Sequence, residues 1–215
     1  MSTFQVELKK VVDDSYEIEI GFGLEDKLIE DIKNGLVGKI TKFAVITDSI
    51  VKDLYAEGIL KRLQAAGFRA DLFVFEAGET NKTRKTKEMI EDAMLEKEYR
   101  RDCCIIAVGG GVVTDLAGFV AGTFGRGVPF INYATTLLAA ADASVGGKTA
   151  VDLATGKNLV GAFHMPSLVV CDPDTLVTLP GEFFSDGMAE VIKMGFIGNP
   201  DLIRLLEGDI SDKIE

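Results

Sequence analysis

An apolar run that stops at three consecutive glycines is the feature that most constrains the fold of this chain. Residues 103–108 read as a buried strand, Gly109, Gly110 and Gly111 follow, and an apolar, small-residue helical pattern runs over 112–124. A strand, a glycine turn and a helix in this order present backbone N–H groups to a phosphate. Glycine lets the backbone approach closely, and the helix N-terminus carries a partial positive charge. The sequence therefore predicts a phosphate-binding turn at residues 109–111.

The rest of the chain alternates predicted strands and helices around this unit. Strands are predicted at 4–11, 16–20, 42–47, 70–75, 129–133 and 168–171. Helices are predicted at 24–34, from the caps Asp48 and Ser49 to about residue 66, and at 84–99. This alternation predicts a Rossmann-like, mostly parallel sheet with helices on both faces. Gly156, Lys157 and Asn158 are predicted to lie in a loop. Two helical patterns then follow, at 183–196 and from Asp201, so we expect an α/β domain over 1–175 and the start of an all-α domain, cut short, over 176–215.

Composition narrows the classes of partner. The formal net charge of −11 argues against nucleic acid, whose phosphates would be repelled over most of the surface. No apolar run approaches the roughly 18 residues of a membrane span, and the N-terminus lacks the order of a signal peptide, so we expect a soluble, cytoplasmic protein. Cys103, Cys104 and Cys171 lie in apolar runs and are expected to be buried, reduced thiols. His164 is the single histidine, so this chain alone cannot assemble a classical zinc site. We expect the His164 side chain to pack or hydrogen-bond near the predicted ligand site.

Hydroxyl and charged residues follow the apolar strands at their carboxyl ends. Thr135 and Thr136 come after the predicted strand at 129–133, and Asp142 and Lys148 follow within the next turn. In open α/β sheets the carboxyl edge is where ligands bind. The sequence therefore predicts that these side chains lie together at one site.

Four linked motifs resemble a known family. GGGVVTDLAGFVAGTFGRGV, ATTLLAAADASVGGKT, GKNLVGAFHMP and GMAEVIKMG, in this order and spacing, are similar to 3-dehydroquinate synthase, a member of the sugar-phosphate cyclase superfamily. The Gly146-Gly147-Lys148 turn and the AEVIK segment at 189–193 resemble the dehydroquinate synthases more than the valiolone or inosose cyclases. The resemblance covers most of the chain and is densest between residues 108 and 195.

The resemblance implies an activity and its cofactors. The family converts 3-deoxy-arabino-heptulosonate 7-phosphate, a phosphorylated keto acid, to 3-dehydroquinate and phosphate in the shikimate pathway. Tightly bound NAD oxidises a hydroxyl, phosphate is eliminated, the ketone is reduced back, and ring opening and aldol closure complete the carbocycle. A divalent metal, usually zinc with cobalt as the alternative, polarises the oxidised alcohol. The family is typically dimeric.

The resemblance also implies roles for individual residues. The implied nucleotide contacts are Asp48, Glu79, Lys82, Gly110, Gly111, Val112, Asp115, Thr135, Thr136, Leu138, Lys157 and Thr178. The implied catalytic or substrate-binding residues are Asp142, Lys148, Asn158, Lys193 and Arg126, of which Arg126 would reach the neighbouring subunit. Glu190 is the implied metal ligand, and its i, i+3 spacing from Lys193 puts both on one helix face. Thr114, Ile50 and Phe183 depart from the family's usual glycine, asparagine and glutamate.

Three readings stay open at this stage. The chain is the NAD-binding portion of a 3-dehydroquinate synthase, or an NAD-binding module that catalyses nothing by itself, or part of a related sugar-phosphate cyclase. By the resemblance, two histidine metal ligands and several basic substrate ligands lie in a C-terminal domain beyond this sequence. We therefore expect the 215-residue chain alone to be inactive.

Overall fold

The fold is seen in a computed structural model, which describes Gln5, Glu7 and residues 11–208. Its strands are β1 (Glu17–Ile20), β2 (Lys42–Asp48), β3 (Arg69–Phe75), β4 (Cys103–Gly109), β5 (Phe130–Ala134), β6 (Lys148–Leu153), β7 (Gly156–Phe163) and β8 (Leu168–Cys171). Its α-helices are α1 (Leu24–Lys33), α2 (Glu57–Ala65), α3 (Arg84–Glu96), α4 (Gly111–Thr123), α5 (Gly181–Gly198) and α6 (Pro200–Glu207). Short π or 3₁₀ turns occupy Lys52–Ala56, Glu79–Asn81, Phe124–Arg126, Ala139–Ala143 and Pro173–Thr178.

Six strands form one parallel sheet in the order β1-β8-β5-β4-β2-β3. The central strands β4 and β5 are buried along their whole length, which explains their continuous apolar sequences. Two separate clusters of buried side chains cover the two faces of the sheet, one with α3 and α4 and the other with α1 and α2. The predicted α/β fold class is confirmed.

Predicted helix ends agree with the structure where glycine permits a left-handed backbone. Gly35 follows α1 with φ of 96°, and Gly67 follows α2 with φ of 90°. The helix predicted to end at residue 99 ends at Glu96. Within it Ile90 is buried, whereas Met89 is 60% exposed. The strand predicted over residues 4–11 lies largely outside the described residues.

The predicted loop at Gly156, Lys157 and Asn158 is wrong. These residues begin β7, which pairs with β6 in a separate antiparallel hairpin. The hairpin packs on α4 at Gly118, where an added Cβ would collide with Thr149. Its second strand is exposed on most of its length and lacks a regular apolar alternation, so no periodic signal marks it in the sequence.

The described residues after β8 contain turns and helices without further strands. Cys103, Cys104 and Cys171 are free and buried, as expected. Among the residues that the structure describes, no helix is both long and apolar enough to cross a membrane.

Candidate functional site

A cavity of about 1070 Å³ opens at the carboxyl ends of β2, β4 and β5. The β6–β7 hairpin and the start of α5 form its other walls. Sixteen of the eighteen predicted site residues line it, and these are Asp48, Glu79, Lys82, Gly110, Gly111, Val112, Asp115, Thr135, Thr136, Leu138, Asp142, Lys148, Lys157, Asn158, Thr178 and Glu190. Their segments are distant in the sequence. The parallel sheet brings the residues that follow its strands to one edge, and the separate β6–β7 hairpin, the turn before α5 and α5 itself contribute the others.

The glycine turn between β4 and α4 forms one wall of the cavity. A Cβ added at Gly110 would come within 2.9 Å of Thr136 Cγ2, so only glycine lets this turn approach the β5 loop without a shift. Gly111 begins the 13-residue helix α4, and because Val113 N–H already donates to the carbonyl oxygen of Gly110, the N–H groups of Gly111 and Val112 are the ones left without a partner in the helix. Beside the turn, the hydroxyl oxygen of Thr135 is buried and has no hydrogen-bond partner. This wall offers hydrogen-bonding groups and positive helix-end potential to an anionic ligand.

Asp48 stands at the end of β2 with one carboxylate oxygen engaged. Its Oδ1 accepts the backbone N–H groups of Ile50 at 2.9 Å and Val51 at 2.8 Å, which caps the helical segment that follows. The second oxygen of the carboxylate is left to accept from a ligand. Across the cavity mouth the hydroxyls of Tyr55 and Thr178 are 2.5 Å apart, which ties the start of this helical segment to the turn before α5.

Lys82 is the centre of a charged cluster on the hairpin side. Its side chain is 4% exposed, and Nζ donates to Asn158 Oδ1 at 2.8 Å and to Asp115 Oδ2 at 3.1 Å. Glu79 Oε1 lies 3.3 Å from the same ammonium and 3.2 Å from Lys157 Nζ. Asp152 Oδ1 lies 3.7 Å from Lys82 Nζ. A buried cation surrounded by these oxygens joins α4, the loop before α3 and the hairpin.

Burial and charge shift two pKa values in this cluster. Burial raises the pKa of Asp115 to about 6, and the charges of Glu79 and Asp152 add to that effect against the opposing pull of Lys82. Burial lowers the pKa of Lys82, but its carboxylate neighbours outweigh burial, and the net direction is upward. Lys82 therefore stays charged at neutral pH, while Asp115 titrates slightly below neutrality.

The opposite side of the cavity holds the residues predicted to meet substrate. Lys148 is exposed, and its Nζ lies 3.7 Å from Asp142 Oδ1. Before it, Gly147 has φ of 65°, and an added Cβ would fall 2.5 Å from Met165 Sδ, so the turn needs glycine. Lys193 pairs with Glu190 on α5, and it is this pair that raises the pKa of Lys193. The ammonium of Lys193 forms its ion pair with Oε2 of Glu190.

The site does not form a metal centre from these residues alone. Among the described parts of the chain, no three His, Cys, Asp or Glu side chains come close enough together to hold an ion. Glu190 is one carboxylate that lines the cavity, and its Oε2 is paired with Lys193. A single carboxylate is too few donors for zinc, which takes three or four protein ligands.

Two predicted site residues do not line the cavity. Lys193 lies beside it, paired with Glu190, whereas Arg126 is exposed at the turn after α4 and has φ of 71°. His164 also lies outside the cavity wall, where it stacks on Phe130 and its Nε2 is 2.8 Å from the carbonyl oxygen of Val128. This agrees with its expected packing role.

Sequence reasoning missed several residues that shape the site. Asp152 joins Lys82 and the hairpin, and Tyr16 accepts the Gly146 N–H at 2.8 Å in the turn that precedes Lys148. Tyr55 reaches Thr178 from the β2 side. Only Asp152 lies close to a motif that the sequence analysis identified, because it comes five residues after Gly147 of the GGKT segment. The other contacts join residues more than 100 positions apart.

Comparison with known proteins agrees with this architecture. The 3-dehydroquinate synthase N-terminal family matches residues 72–186. A 3-dehydroquinate synthase of Prochlorococcus marinus (strain MIT 9313) is 47% identical over 194 residues, which cover 90% of this chain and 52% of the relative. The chain thus spans about half the length of the curated relatives it matches.

Two solved structures share the fold. A 2-epi-5-epi-valiolone synthase from Streptomyces hygroscopicus subsp. jinggangensis, with NAD+ and Zn2+ bound, has a TM-score of 0.81 at 31% identity and matches 95% of this chain and 55% of its own. A 2-deoxy-scyllo-inosose synthase in complex with carbaglucose-6-phosphate, NAD+ and Co2+ has a TM-score of 0.75 at 30% identity, over 82% of this chain and 47% of its own.

Proposed function

The chain belongs to the 3-dehydroquinate synthase family, and from this premise we propose that it is the NAD-binding portion of an enzyme that converts 3-deoxy-arabino-heptulosonate 7-phosphate to 3-dehydroquinate and phosphate. The observation that carries the proposal is the single cavity lined by the glycine turn, Asp48, the unpartnered Thr135 hydroxyl and Lys148. A cavity of about 1070 Å³ has room for a dinucleotide. We also propose that the NAD-binding α/β domain spans residues 1–175 and that residues 176–215 are the start of an all-α domain.

The nucleotide half of the cavity binds NAD in this proposal. The N–H groups at the start of α4 donate to the pyrophosphate oxygens, and the free oxygen of Asp48 accepts from ribose hydroxyls. The Thr135 hydroxyl has an unfilled hydrogen bond toward the nicotinamide side, with Thr136 and Leu138 beside it. Bound NAD supplies reversible hydride acceptance, and the protein's part is to hold the reacting carbon in line with it.

The substrate half carries the charges that an anionic sugar acid needs. Lys148 offers an exposed ammonium and Asn158 a neutral amide. Asp142 lies within 3.7 Å of Lys148 and can accept a substrate hydroxyl proton. Arg126 is proposed to serve the neighbouring subunit of a homodimer, which explains its exposed position away from this cavity.

Glu190 is proposed as one ligand of a divalent metal, zinc or cobalt, with Lys193 as a substrate-binding ammonium. The remaining ligands would come from outside the described residues.

Calorimetric titration of NAD onto the chain tests the proposal. We expect saturable binding and expect Asp48→Asn, which keeps an acceptor for the helix cap, to weaken it about tenfold, a loss of about 1.4 kcal/mol. Asp53→Asn, an exposed carboxylate five residues on, is the matched control and should bind as the parent does. An absence of saturable binding at millimolar NAD would refute the cofactor assignment.

The second candidate is an NAD-binding module without turnover, which the single candidate metal ligand favours for this chain alone. Phosphate release from the heptulosonate substrate, with NAD and zinc added, separates the two candidates. Release means that the chain is catalytically complete. NAD binding without release means that it is the cofactor-binding portion only.

A further inference from the structure

Asp152 occupies an irregular position in the β6–β7 hairpin. The register shifts between Val151 and Leu153, so Asp152 has no pairing partner across the hairpin. Its backbone instead bonds to the loop before α3, where its N–H donates to the carbonyl oxygen of Lys82 at 2.7 Å and Thr83 forms an isolated bridge with it. Asp152 thus joins the hairpin to the loop before α3, in addition to the packing of the hairpin on α4.

The carboxylate of Asp152 also holds the opposite strand. Its Oδ1 accepts the backbone N–H of Asn158 at 2.8 Å, although the two residues are not paired in the hairpin register. Asn158 has φ of 57°, a left-handed conformation that is uncommon for residues with a side chain and that Asn adopts more readily than most. The carboxylate gives the displaced N–H a partner and so favours this conformation.

The orientation of the Asn158 amide follows from the chemistry of Lys82. The ammonium group is a donor only, and it lies 2.8 Å from one end of the Asn158 amide, so that end must be the oxygen. The NH₂ end therefore points away from Lys82. Asn158 is exposed and lines the cavity, so its two N–H donors are available to a ligand there.

Resting on the proposed function, we propose that Asp152 is a positioning residue that aims the NH₂ group of Asn158 into the cavity. Asp152 fixes the backbone of Asn158 directly, and it helps to hold Lys82, which fixes the amide oxygen. The substrate atom that meets Asn158 must accordingly be an acceptor, namely a hydroxyl, carboxylate or phosphate oxygen. Replacement of the Asn158 amide by a carboxylate would place a negative charge against that acceptor oxygen and repel it.

Hydrogen exchange measured by NMR on the ¹⁵N-labelled chain tests the positioning role. We expect the Asn158 backbone N–H to be protected in the parent and to exchange at least tenfold faster in Asp152→Ala, because its hydrogen-bond partner is lost. Asp152→Asn keeps an acceptor and should restore most of the protection. Asp92→Ala, which removes an exposed carboxylate from α3, is the matched control and should change nothing at Asn158.

Two results would overturn the proposal. One is an unprotected Asn158 N–H in the parent chain, which is decisive even if Asp152→Ala fails to fold. The other is equal protection in the parent and a folded Asp152→Ala variant. Neither result depends on cofactor binding. Failure of the NAD titration would therefore refute the proposed function and leave the positioning of Asn158 by Asp152 unaffected.

The ligand-facing role has its own measurement. On addition of 3-deoxy-arabino-heptulosonate 7-phosphate to the NAD-saturated chain, the Asn158 NH₂ resonances should shift in the parent, and Asn158→Asp should weaken binding about tenfold or more. Shifts at Lys148 with unchanged Asn158 NH₂ resonances would contradict this role. No shifts anywhere would count against the proposed function instead.

Discussion

At the scale of single residues, Lys82 shows how one buried charge organises a site. An ammonium with a side chain only 4% exposed is unfavourable unless hydrogen bonds and opposite charges surround it. Here Asn158 and Asp115 accept its hydrogen bonds, and Glu79 and Asp152 add negative charge. Three carboxylates around one buried cation also repel one another, and this repulsion adds to burial in raising the pKa of Asp115.

The raised pKa of Asp115 predicts a pH dependence of stability. Between about pH 4, where a free carboxyl titrates, and pH 6, where Asp115 titrates, the folded chain binds more protons at this site than the unfolded chain. The contribution of Asp115 to the free energy of unfolding is therefore fully present below pH 4 and is lost as the pH rises from 4 through 6.

Urea denaturation of the parent and Asp115→Asn at several pH values from 4 to 7 measures this contribution. The parent should lose about 2 kcal/mol relative to the variant between pH 4 and pH 6, part of the about 3 kcal/mol that roughly two pKa units at 1.36 kcal/mol each give over the whole titration. A difference in unfolding free energy that stays constant with pH would contradict the assignment.

At the scale of elements, Asp172 joins three segments at the end of β8. Its Oδ2 accepts the N–H of Leu24, the first residue of α1, at 2.8 Å and the hydroxyl of Tyr133 at 3.3 Å. Its Oδ1 accepts the N–H of Asp174 at 3.0 Å in the following turn. Gly23 precedes α1 and has no side chain to cap it, so a carboxylate 148 positions away supplies the cap.

We expect Asp172→Ala to lower the free energy of unfolding by about 2–4 kcal/mol, because a helix cap is lost and a buried tyrosine hydroxyl loses its acceptor. Asp174→Ala removes an exposed carboxylate from the same turn and is the matched control, with an expected change below about 0.5 kcal/mol. Denaturant titration at neutral pH measures both values. Equal stability of the two variants would show that the hydrogen bonds of Asp172 to Leu24 and Tyr133 do not stabilise the fold.

At the scale of the whole molecule, the cavity draws on segments from Asp48 to Glu190. A ligand bound there contacts the β2 end, the glycine turn, the hairpin and the start of α5 together. Because such a ligand binds only the folded chain, it adds to the free energy of unfolding in proportion to the logarithm of its concentration.

NAD at one hundred times its dissociation constant should stabilise the chain by about 2.7 kcal/mol, which corresponds to a rise in Tm of roughly 5–10 °C for a domain of this size. Thermal scans with and without NAD measure the shift. Asp48→Asn at the same NAD concentration should show a smaller rise. A Tm that does not respond to NAD in either chain would contradict ligand-coupled stability.

The sequence by itself determined the sheet and the glycine turn. The runs at 103–108 and 168–171 are continuous and apolar because those strands are buried on both faces, and such runs are readable locally. Gly35 and Gly67 mark helix ends because glycine adopts positive φ without strain. The alternation of strands and helices already implied that the strands are parallel. Because parallel strands all end at the same edge of a sheet, the sequence also predicted that the ligand binds at that carboxyl edge.

Only the tertiary structure decided the hairpin and the contacts that orient the site. Residues 156–163 form a strand because they pair with β6 against α4, and their own sequence carries no period that demands it. The contacts of Tyr16 with Gly146 and of Asp172 with Leu24 span 130 and 148 positions. Local patterns record which face of an element is buried. They do not record which distant N–H group a side chain will meet, because chain folding alone brings the two together.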